Sequence, residues 1–485
     1  MAGTFNSLAN AQTLAEVLSS APNAKGQFWS RKLELGSRNN DNFAMFEGAA
    51  GSNSPFWVKR DLSKGAGDKV TFTVMSDVAG PGVRGEQELT GNTSKPRFST
   101  YSCVVDFFRD AFELTKKEEK FLAAGGSIEQ AATDALEKKL GRTKQYDMMM
   151  VLILQASGNV YRPGGASSRD TIAVGNTLSL NDSVTAKTAA QRLGARQVDV
   201  SKNKHGSPVK SYIMFASDIA MKDMSQSTAW QTAVRDGGDR GDSNPLFTGR
   251  LVDWNGIGFF EHITVDPDWD DVLSDPLCPK MTLGQAFSTA TSGPALIQNA
   301  SNLRNLYTQW MGGYDYQWYE GQTAAPDSSK YYAWIVAPSG SIGFVRWTGT
   351  GNNGNRIALD GILAASAGSG GLGTDPLGSM TLAAISAASK TAITTFPVDS
   401  WIIPANARGV PIGYSFLLGA GAAVRAYGST ALNHIEQKRD YGFVKGFGYE
   451  TIFGQAPCQR TDGKTHNYVL IEHAIDHPGL EIVTI

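Results

Sequence analysis

Apolar and polar positions alternate in two stretches that lie on either side of a glycine-rich segment. In KVTFTV, the residues Val70, Phe72 and Val74 share one face, and the run FSTYSCVVDFF from Phe98 is again rich in β-branched and aromatic residues. This period of two predicts two β-strands. About 20 residues separate them, whereas most hairpin turns have about two to five residues. Because loops of that length are usually functional or mobile, the segment is a candidate site.

The next pattern has the period of a helix. Ser127 and Gln130 have the spacing of a capping box. Apolar residues then recur three or four positions apart, at Ile128, Ala131, Ala132, Ala135, Leu136 and Leu140. After Gly141 the run YDMMMVLILQAS continues to Ala156. We therefore predict one amphipathic helix of roughly 30 residues, about 45 Å long.

The remaining patterns predict strands mixed with short helices. SYIMFASDIAMKDM is typical of a strand followed by a helix, and GRLVDWNGIGFFEHITV of two short strands around the turn Trp254-Asn255-Gly256. YGFVKGFGYETIFGQA and HNYVLIEHAI are typical of strands. GYSFLLGAGAAVRAYG, which begins at Gly413, is rich in small residues, and we predict that it forms a closely packed helix.

Two regions differ from the rest in residue composition and in the spacing of their apolar residues. Residues 1–55 contain apolar groups that are too sparse in period to form a core alone, which predicts an extended arm. Residues 266–404 combine Asp/Pro turns, aromatic strands such as KYYAWIVA, and a low-complexity run of Ala, Gly and Ser. This change of composition predicts an inserted, β-rich domain. No internal repeat of fixed period connects the regions.

Composition and charge narrow the class of protein. The 485 residues are 41% hydrophobic, and 53 glycines with only 19% charged residues indicate many turns and much surface covered by other protein. With a net charge of −2 and no block of five or more like charges, nothing in the sequence marks a nucleic-acid-binding face. Cys103, Cys278 and Cys458 lie far apart, so we expect a reducing compartment and no disulfide framework. Without a signal peptide or an apolar span, the product is expected to be soluble and made in a cytoplasm.

The glycine-rich segment contains the dinucleotide-binding spacing G-x-G-x-x-G at Gly80, Gly82 and Gly85. A true fingerprint needs a helix that opens directly after the glycines, so that the phosphates lie at its N-terminus. Here two carboxylates follow, at Glu86 and Glu88, and the same spacing recurs in GTGNNG and GSGGLG. We therefore interpret the pattern as chance and expect no cofactor.

The other chemical motifs are equally weak. His473, Asp476 and His477 imitate a zinc-peptidase pattern, but the preceding residues predict a strand, on which positions four apart cannot chelate one ion. We interpret these histidines as surface or edge-strand residues. The turn DPDWDDV lacks the glycine and glutamate of a calcium loop. No sequence motif links a serine or cysteine to a histidine as nucleophile and base, so we expect no metal, no catalytic residues and no enzyme activity.

Local sequences occur in the order arm, long loop, long helix, mixed domain and small-residue run. GDKVTFTVMSDVAGPGVRGEQELTGN, NPLFTGRLVDWNGIGFFEH, and GYSFLLGAGAAVRAYG with YGFVKGFGYETIFG carry this order. As a set they resemble the major capsid proteins of tailed bacteriophages, in particular a podovirus-type branch with the Hong Kong 97-like capsid fold. The resemblance covers roughly residues 55–265 and 405–485.

The resemblance implies an α+β shell subunit that self-assembles, as hexamers and pentamers, into an icosahedral head around double-stranded DNA. Its expected partners are further copies of itself, a scaffolding protein and a portal, with a decoration protein as a further candidate and no membrane. In such folds an extended loop lies over a neighbouring subunit. Residues 77–95 match that loop, so Arg84, Glu86 and Glu88 are candidate inter-subunit contacts. The segment between Lys69 and Lys95 has no lysine, so a loop cross-link is not expected.

The resemblance also implies a division of the chain into six parts. These are an arm (1–55), an extended loop (56–110), a peripheral domain with the long helix (111–200), the first part of an axial domain (201–265), an insertion (266–404) and the C-terminal part of the axial and peripheral domains (405–485). The alternative to a capsid subunit is a carbohydrate-binding adhesin or glycan-active enzyme that uses the Trp/Asp-rich region 266–350. That alternative predicts loss of glycan binding on changing Trp318 or Trp334 to alanine.

Overall fold

The structure is a computed structural model, and it describes most of the body of the chain. The described residues are 41–61, 63, 65–76, 82–86, 88, 90, 97–115, 128–156, 158–202, 208–236, 253–262, 277–278, 281–282, 287–288, 294–296, 331–336, 342–348, 356–363, 395–396, 401–406, 409–428, 433–459 and 465–475. Among them, no helix is long and apolar enough to cross a lipid bilayer.

The described part of the chain up to residue 262 mixes strands with helices, as the sequence predicts. Its strands are β1 (Glu47–Ala49), β2 (Phe56–Arg60), β3 (Lys69–Ser76), β4 (Arg97–Val104), β5 (Asp106–Thr115), β6 (Val160–Tyr161), β7 (Val198–Lys202), β8 (Pro208–Ser217), β9 (Asp253–Trp254) and β10 (Ile257–His262). Its helices are α1 (Ile128–Leu154), α2 (Leu180–Arg192), α3 (Asp218–Gln226) and α4 (Thr228–Asp236). Short 3-10 turns occur at Asn42–Phe46, Pro163–Gly165 and Arg169–Thr171.

The described residues after 262 form strands and one short 3-10 turn. Up to residue 405 the strands are β11 (Met281–Thr282), β12 (Phe287–Ser288), β13 (Pro294–Leu296), β14 (Tyr331–Val336), β15 (Ile342–Thr348), β16 (Arg356–Leu363), β17 (Thr395–Phe396) and β18 (Trp401–Ala405). The last strands are β19 (Ile412–Leu418), β20 (Ala423–Tyr427), β21 (Asn433–Arg439), β22 (Val444–Pro457) and β23 (Tyr468–Ala474), with the 3-10 turn Asp440–Gly442 between β21 and β22.

Three larger sheets organise these strands. The first sheet has the order β1-β2-β20-β22-β21, with β5 also paired to β22. The second has the order β6-β23-β19-β8-β10-β9, with β7 paired to β8. The third, β11-β18-β14-β15-β16-β13, is built entirely from residues 281–405. The pairs β3-β4 and β12-β17 form separate two-stranded sheets. The predicted mixed α+β architecture is therefore confirmed.

The second sheet lies between two apolar cores. Along β19, Phe416 and Leu418 pack in the same core as Met148 and Leu152 of α1, whereas Leu417 packs in the core that α2 and α3 help to form. All seven residues of β19 are buried, and so are all seven of β23. Because both faces of these strands are covered, apolar residues occur on both faces instead of alternating with exposed polar ones. The polar exceptions, Ser415, Glu472 and His473, each have a hydrogen-bond partner in the interior.

The prediction of a small-residue helix from Gly413 is wrong. This run forms β19 and β20, which belong to two different sheets and are joined by a turn at residues 419–422. The small residues allow close backbone approach: a Cβ at Gly419 would lie 2.6 Å from the carbonyl oxygen of Arg196. A short apolar run with few bulky residues fits a buried strand and a buried helix equally well by pattern alone.

The long helix is confirmed with slightly shorter bounds, since α1 has 27 residues. Its described apolar side chains Leu136 and Leu140 pack against Tyr449 of β22, and Lys139 forms an ion pair with Asp110 of β5. Further along the helix, Met148 and Leu152 enter the core of the second sheet. The helix therefore packs against both the first and the second sheet.

The described part of the predicted arm is not extended away from the body. Phe43, in the 3-10 turn Asn42–Phe46, is completely buried. Its ring lies 4.8 Å from the ring of Phe56 and 4.7 Å from that of Phe215, centroid to centroid. Phe46 packs in the same way, with its ring 4.8 Å from that of Phe260. Residues 41–55 thus contact the body through two aromatic side chains, and the assignment of residues 1–55 as an arm stays a prediction.

Gly421, in the turn between β19 and β20, provides a test of this close packing. Its φ is +69°, and an added Cβ would lie 2.5 Å from the indole ring of Trp57. We expect Gly421→Ala to lower the free energy of unfolding by about 2 kcal/mol, through left-handed strain and overpacking. Gly67→Ala is the matched control, since Gly67 has a φ of +83° and no atom within 4 Å of the added Cβ. Urea denaturation measures the free energy of unfolding of both variants. An equal decrease for Gly421→Ala and Gly67→Ala would contradict a role for the indole contact.

Candidate subunit interface

The predicted pair of strands around the long loop is confirmed as an antiparallel hairpin. Strands β3 and β4 pair in register from Lys69 opposite Val104 to Ser76 opposite Arg97. The two strands pair without a bulge. The alternation in KVTFTV fixes this register, because a slip by one residue would turn the apolar face to the solvent. The hairpin thus carries the loop between residues 76 and 97.

The base of the hairpin is fixed to the first sheet by one apolar face. Val70 and Phe72 of β3 pack with Val424 of β20 and Ile452 of β22. On the same side, the Lys59 ammonium donates a hydrogen bond of 2.7 Å to the carbonyl oxygen of Thr71. The opposite face is open, with Thr71 and Thr73 exposed. The hairpin is therefore fixed to the body of the subunit through one face at its base.

All three predicted contact residues, Arg84, Glu86 and Glu88, lie exposed in this loop. Gly82 and Gly85 have φ values of +66° and +65°, and an added Cβ at either would meet no atom within 4 Å. These two glycines therefore allow the left-handed backbone of the loop, and no close contact requires them. Gly80, the first glycine of the G-x-G-x-x-G spacing, is outside the described residues. No helix occurs among residues 85, 86, 88 and 90, so this part of the loop offers no helix N-terminus to a phosphate.

The histidine motif is resolved by the position of His473. It lies on β23 as the strand prediction requires, but β23 is paired on both sides and the ring is completely buried. The interpretation of His473 as a surface or edge-strand residue is therefore wrong. Its Nε2 lies 2.9 Å from the hydroxyl of Ser415, and its Nδ1 lies 3.1 Å from the carbonyl oxygen of Ala474. Asp476 and His477 are outside the described residues, and no metal-binding group of three or more acidic, His or Cys side chains occurs within the described part.

A buried ionic cluster around Arg425 of β20 is not among the sites that the sequence predicts. The Arg425 guanidinium donates to Asp41 at 2.6 Å, to Glu47, and to the carbonyl oxygen of Lys144 at 3.3 Å. Burial alone would lower the pKa of Arg425, but the carboxylates of Asp41 and Glu47 raise it above its usual value. The available signal was a single charged residue in the otherwise apolar run GAGAAVRAYG. This cluster ties the N-terminal segment to the first sheet.

A second cluster surrounds Glu472 of β23. Arg162 and Arg169, on the segment after β6, donate to its two oxygens at 2.7 and 2.8 Å, and the Arg169 guanidinium lies over the ring of Tyr414. Burial opposes ionisation of Glu472, but the two arginines hold its pKa below the usual range. These contacts fix the loop after β6 to the second sheet and involve none of the predicted contact residues.

The region considered for glycan binding is only partly described. Trp334 and Trp347 lie on the adjacent strands β14 and β15. Trp310, Trp318 and the acidic turn at 266–271 are outside the described residues. No observation on the described part supports the glycan-binding alternative.

Comparisons with known proteins point to one family. A family model described as "Phage capsid protein" matches residues 9–266, just over half of the chain. The matched segment includes the β3–β4 hairpin with its loop, the long helix α1 and the strands up to β10. The comparison with curated proteins finds no match.

Several solved structures are similar to the chain at low sequence identity. The capsid of Ralstonia phage GP4 is 14% identical, with 89% of this chain and 90% of that chain covered and a TM-score of 0.49. The capsid asymmetric unit of cyanophage Pam1 is 14% identical, with coverage of 90% and 92% and a TM-score of 0.48. The head of Helicobacter pylori bacteriophage KHP40 is 12% identical, with coverage of 89% and 91% and a TM-score of 0.48.

Proposed function

The chain belongs to the phage capsid protein family, and from this premise we propose that it is the major capsid protein of an icosahedral head that encloses double-stranded DNA. It is a structural protein of the virion. The proposal assigns it no catalytic residues, because its role is carried by contacts between copies. The supporting observation is the family match over residues 9–266, a segment that includes the β3–β4 hairpin and the loop it carries.

We assign the fold to the Hong Kong 97-like class on the order of its elements. A long hairpin precedes a 27-residue helix that packs on a sheet, and a second sheet with short helices follows. We retain the extended loop at 56–110, the peripheral domain at 111–200, the first part of the axial domain at 201–265, and the C-terminal part of the axial and peripheral domains at 405–485. The third sheet is built from residues 281–405 alone, which supports an insertion at 266–404.

The loop of the hairpin is the inter-subunit contact in this proposal. Arg84, Glu86 and Glu88 are exposed on a structure whose base is fixed to the first sheet. Exposed ion pairs contribute only about 0–1 kcal/mol each. Because a closed shell repeats each contact many times, weak pairs suffice for stability and still let misplaced subunits dissociate.

The expected partners follow from the same role. Copies of the chain form hexamers and pentamers in the host cytoplasm, with a scaffolding protein and a portal as further partners and a decoration protein as an additional candidate. The near-neutral net charge of −2 suits an inner wall that must release its DNA, because many phosphate contacts would hold it.

Electron microscopy and sedimentation velocity of the purified full-length chain, with its scaffolding protein present, test the proposal. We expect closed particles or capsomers in addition to free subunits. A chain that stays monomeric at all concentrations and never enters particles would contradict it.

A charge reversal tests the loop separately. We expect Glu86→Lys with Glu88→Lys to weaken association about tenfold or more, because two attractive contacts become repulsive. The control is Gln191→Lys with Gln231→Lys, which adds positive charge at exposed positions of α2 and α4. Sedimentation velocity gives the association constants. Equal association of the two variants would exclude a role for the loop acids.

A further inference from the structure

The turn between β21 and β22 is held in an unusual backbone conformation. Asp440 and Tyr441 both lie in the left-handed region, with φ values of 49° and 51°. Left-handed backbone is unfavourable for side chains other than glycine, and most of all for bulky ones. Left-handed residues are usual in hairpin turns, where Asp tolerates them, but a tyrosine in this conformation is strained, and strained residues cluster at functional sites. This turn and its flanking residues, 437–445, form the tip of the β21–β22 hairpin and are called the tip below.

The tip projects beyond the sheet and is apolar at its end. The last pair between β21 and β22 is Arg439 opposite Val444, and β5 ends at Thr115, also opposite Val444. Beyond these pairs Tyr441 is fully exposed and Phe443 is 44% exposed. Two aromatic side chains at the end of a strained turn form a small apolar surface that the described part of the chain leaves uncovered.

The charges around this surface select its partner. The tip carries Lys438, Arg439 and Lys445 against one acidic residue, Asp440. Glu113 lies 3.1 Å from Arg439 in an exposed pair, which leaves Lys438 as the principal exposed cation. Two tips brought together would oppose like charges, which disfavours a contact between identical surfaces. An acidic surface is the complementary partner.

The hairpin loop has the complementary charge. Of its described charged residues, Glu86 and Glu88 outnumber Arg84, and all three are exposed. We propose that the tip of one copy binds this loop of a second copy, with Tyr441 at the apolar centre and Lys438 facing the acidic side chains. The inference rests on the proposed function, because it takes the loop to contact another subunit. Since each copy carries both surfaces, the contact is head-to-tail and can close into rings.

Cross-linking of mixed chains tests this pairing directly. A full-length chain with Glu86→Cys and another with Lys438→Cys are assembled together and oxidised with copper phenanthroline in air. The native cysteines Cys103, Cys278 and Cys458 are buried, so the introduced thiols are the accessible ones. We expect a disulfide-linked mixed dimer on non-reducing gels, at several times the yield of either chain alone.

The outcomes separate this inference from the proposed function. Particles that form without a mixed dimer would overturn the pairing while leaving the capsid function standing, and so would a predominant dimer of Lys438→Cys chains with each other. Failure of the wild-type chain to assemble at all would instead remove the proposed function, and this inference with it.

Tyr441→Gly tests the aromatic contact in a variant that should fold well. Glycine accepts the left-handed backbone, so the thermal midpoint is expected to stay equal or rise. Loss of the ring should weaken association at least tenfold, whereas Tyr441→Phe should associate as the wild type does. A Tyr441→Gly chain that assembles with wild-type affinity would overturn the role of the tip.

Discussion

Replacing Arg425 with alanine is expected to lower the free energy of unfolding by about 3–5 kcal/mol, the usual cost of removing one partner from a buried ion pair. Arg425 and Asp41 are almost completely buried, with side-chain exposures of 2% and 1%. Without the guanidinium, two carboxylates, those of Asp41 and Glu47, would remain in the interior without their shared cation. Urea denaturation of the subunit at neutral pH, followed by circular dichroism, measures the loss.

The matched control is Arg439→Ala. Arg439 also forms an ion pair, with Glu113 at 3.1 Å, but both side chains are at least half exposed. Exposed pairs of this kind contribute about 0–1 kcal/mol. A loss for Arg425→Ala no greater than that for Arg439→Ala would show that the buried cluster does not stabilise the fold.

A third variant separates charge from packing. Combining Arg425→Met with Asp41→Asn and Glu47→Gln removes all three charges and keeps similar side-chain volumes. The amide oxygen introduced at position 41 can still accept the N–H of Phe43, as the Asp41 carboxylate does at 2.9 Å. Since buried ion clusters are often replaceable by neutral groups, most of the lost stability should return. If the triple variant is as unstable as Arg425→Ala, the lower free energy of unfolding results from lost packing and not from unpaired charge.

The sequence predicts the helices and strands that bury one face and expose the other, because their apolar residues recur with a clear period. The alternation around Val70 and Phe72 indicates the hairpin because only one of its faces is buried. The period of Leu136 and Leu140 indicates α1 for the same reason. The loop with Arg84, Glu86 and Glu88 could be located because its flanking strands were clear.

The errors occur where long-range contacts decide the structure. β20 is buried between β2 and β22, and β2 lies more than 360 residues earlier in the chain. No local pattern in GAGAAVRAYG distinguishes that environment from the interior of a helix bundle. The cluster of Asp41, Glu47 and Arg425 is invisible for the same reason, since the pairing exists only once the first sheet has formed. His473 was misplaced because the sequence does not show that β23 is covered on both faces.

The burial of His473 makes the protein sensitive to acid, with a defined pH window. Burial lowers the pKa of His473 from 6.5 to about 4, although the Ala474 carbonyl and Asp182 oppose the shift. Between pH 6.5 and pH 4, His473 is protonated in the unfolded chain but neutral in the folded chain. The free energy of unfolding therefore decreases as the pH falls through this range. The shift corresponds to about 3 kcal/mol, of which roughly 2–3 kcal/mol is lost by pH 4.5.

Other groups titrate in the same range, so the prediction concerns a difference between variants. Burial raises the pKa of Asp147 to about 7, with the charge of Arg425 opposing. A raised carboxyl pKa stabilises the fold as the pH decreases, opposite in sign to the effect of His473. Glu472 has a lowered pKa, so its contribution is lost only as the pH falls below about 4.5. Both groups are common to wild type and to a variant at position 473, and their contributions cancel in the comparison.

The variant is His473→Leu combined with Ser415→Ala, which removes both members of the buried hydrogen bond and leaves neither partner unsatisfied. Between pH 6.5 and 4.5, wild type is expected to lose roughly 2–3 kcal/mol relative to this variant. Ser415→Ala alone is the control, because it retains the titrating ring and should follow wild type. Urea denaturation at half-unit steps of pH measures all three. A double variant that loses stability in parallel with wild type over this interval would show that His473 is not the group responsible.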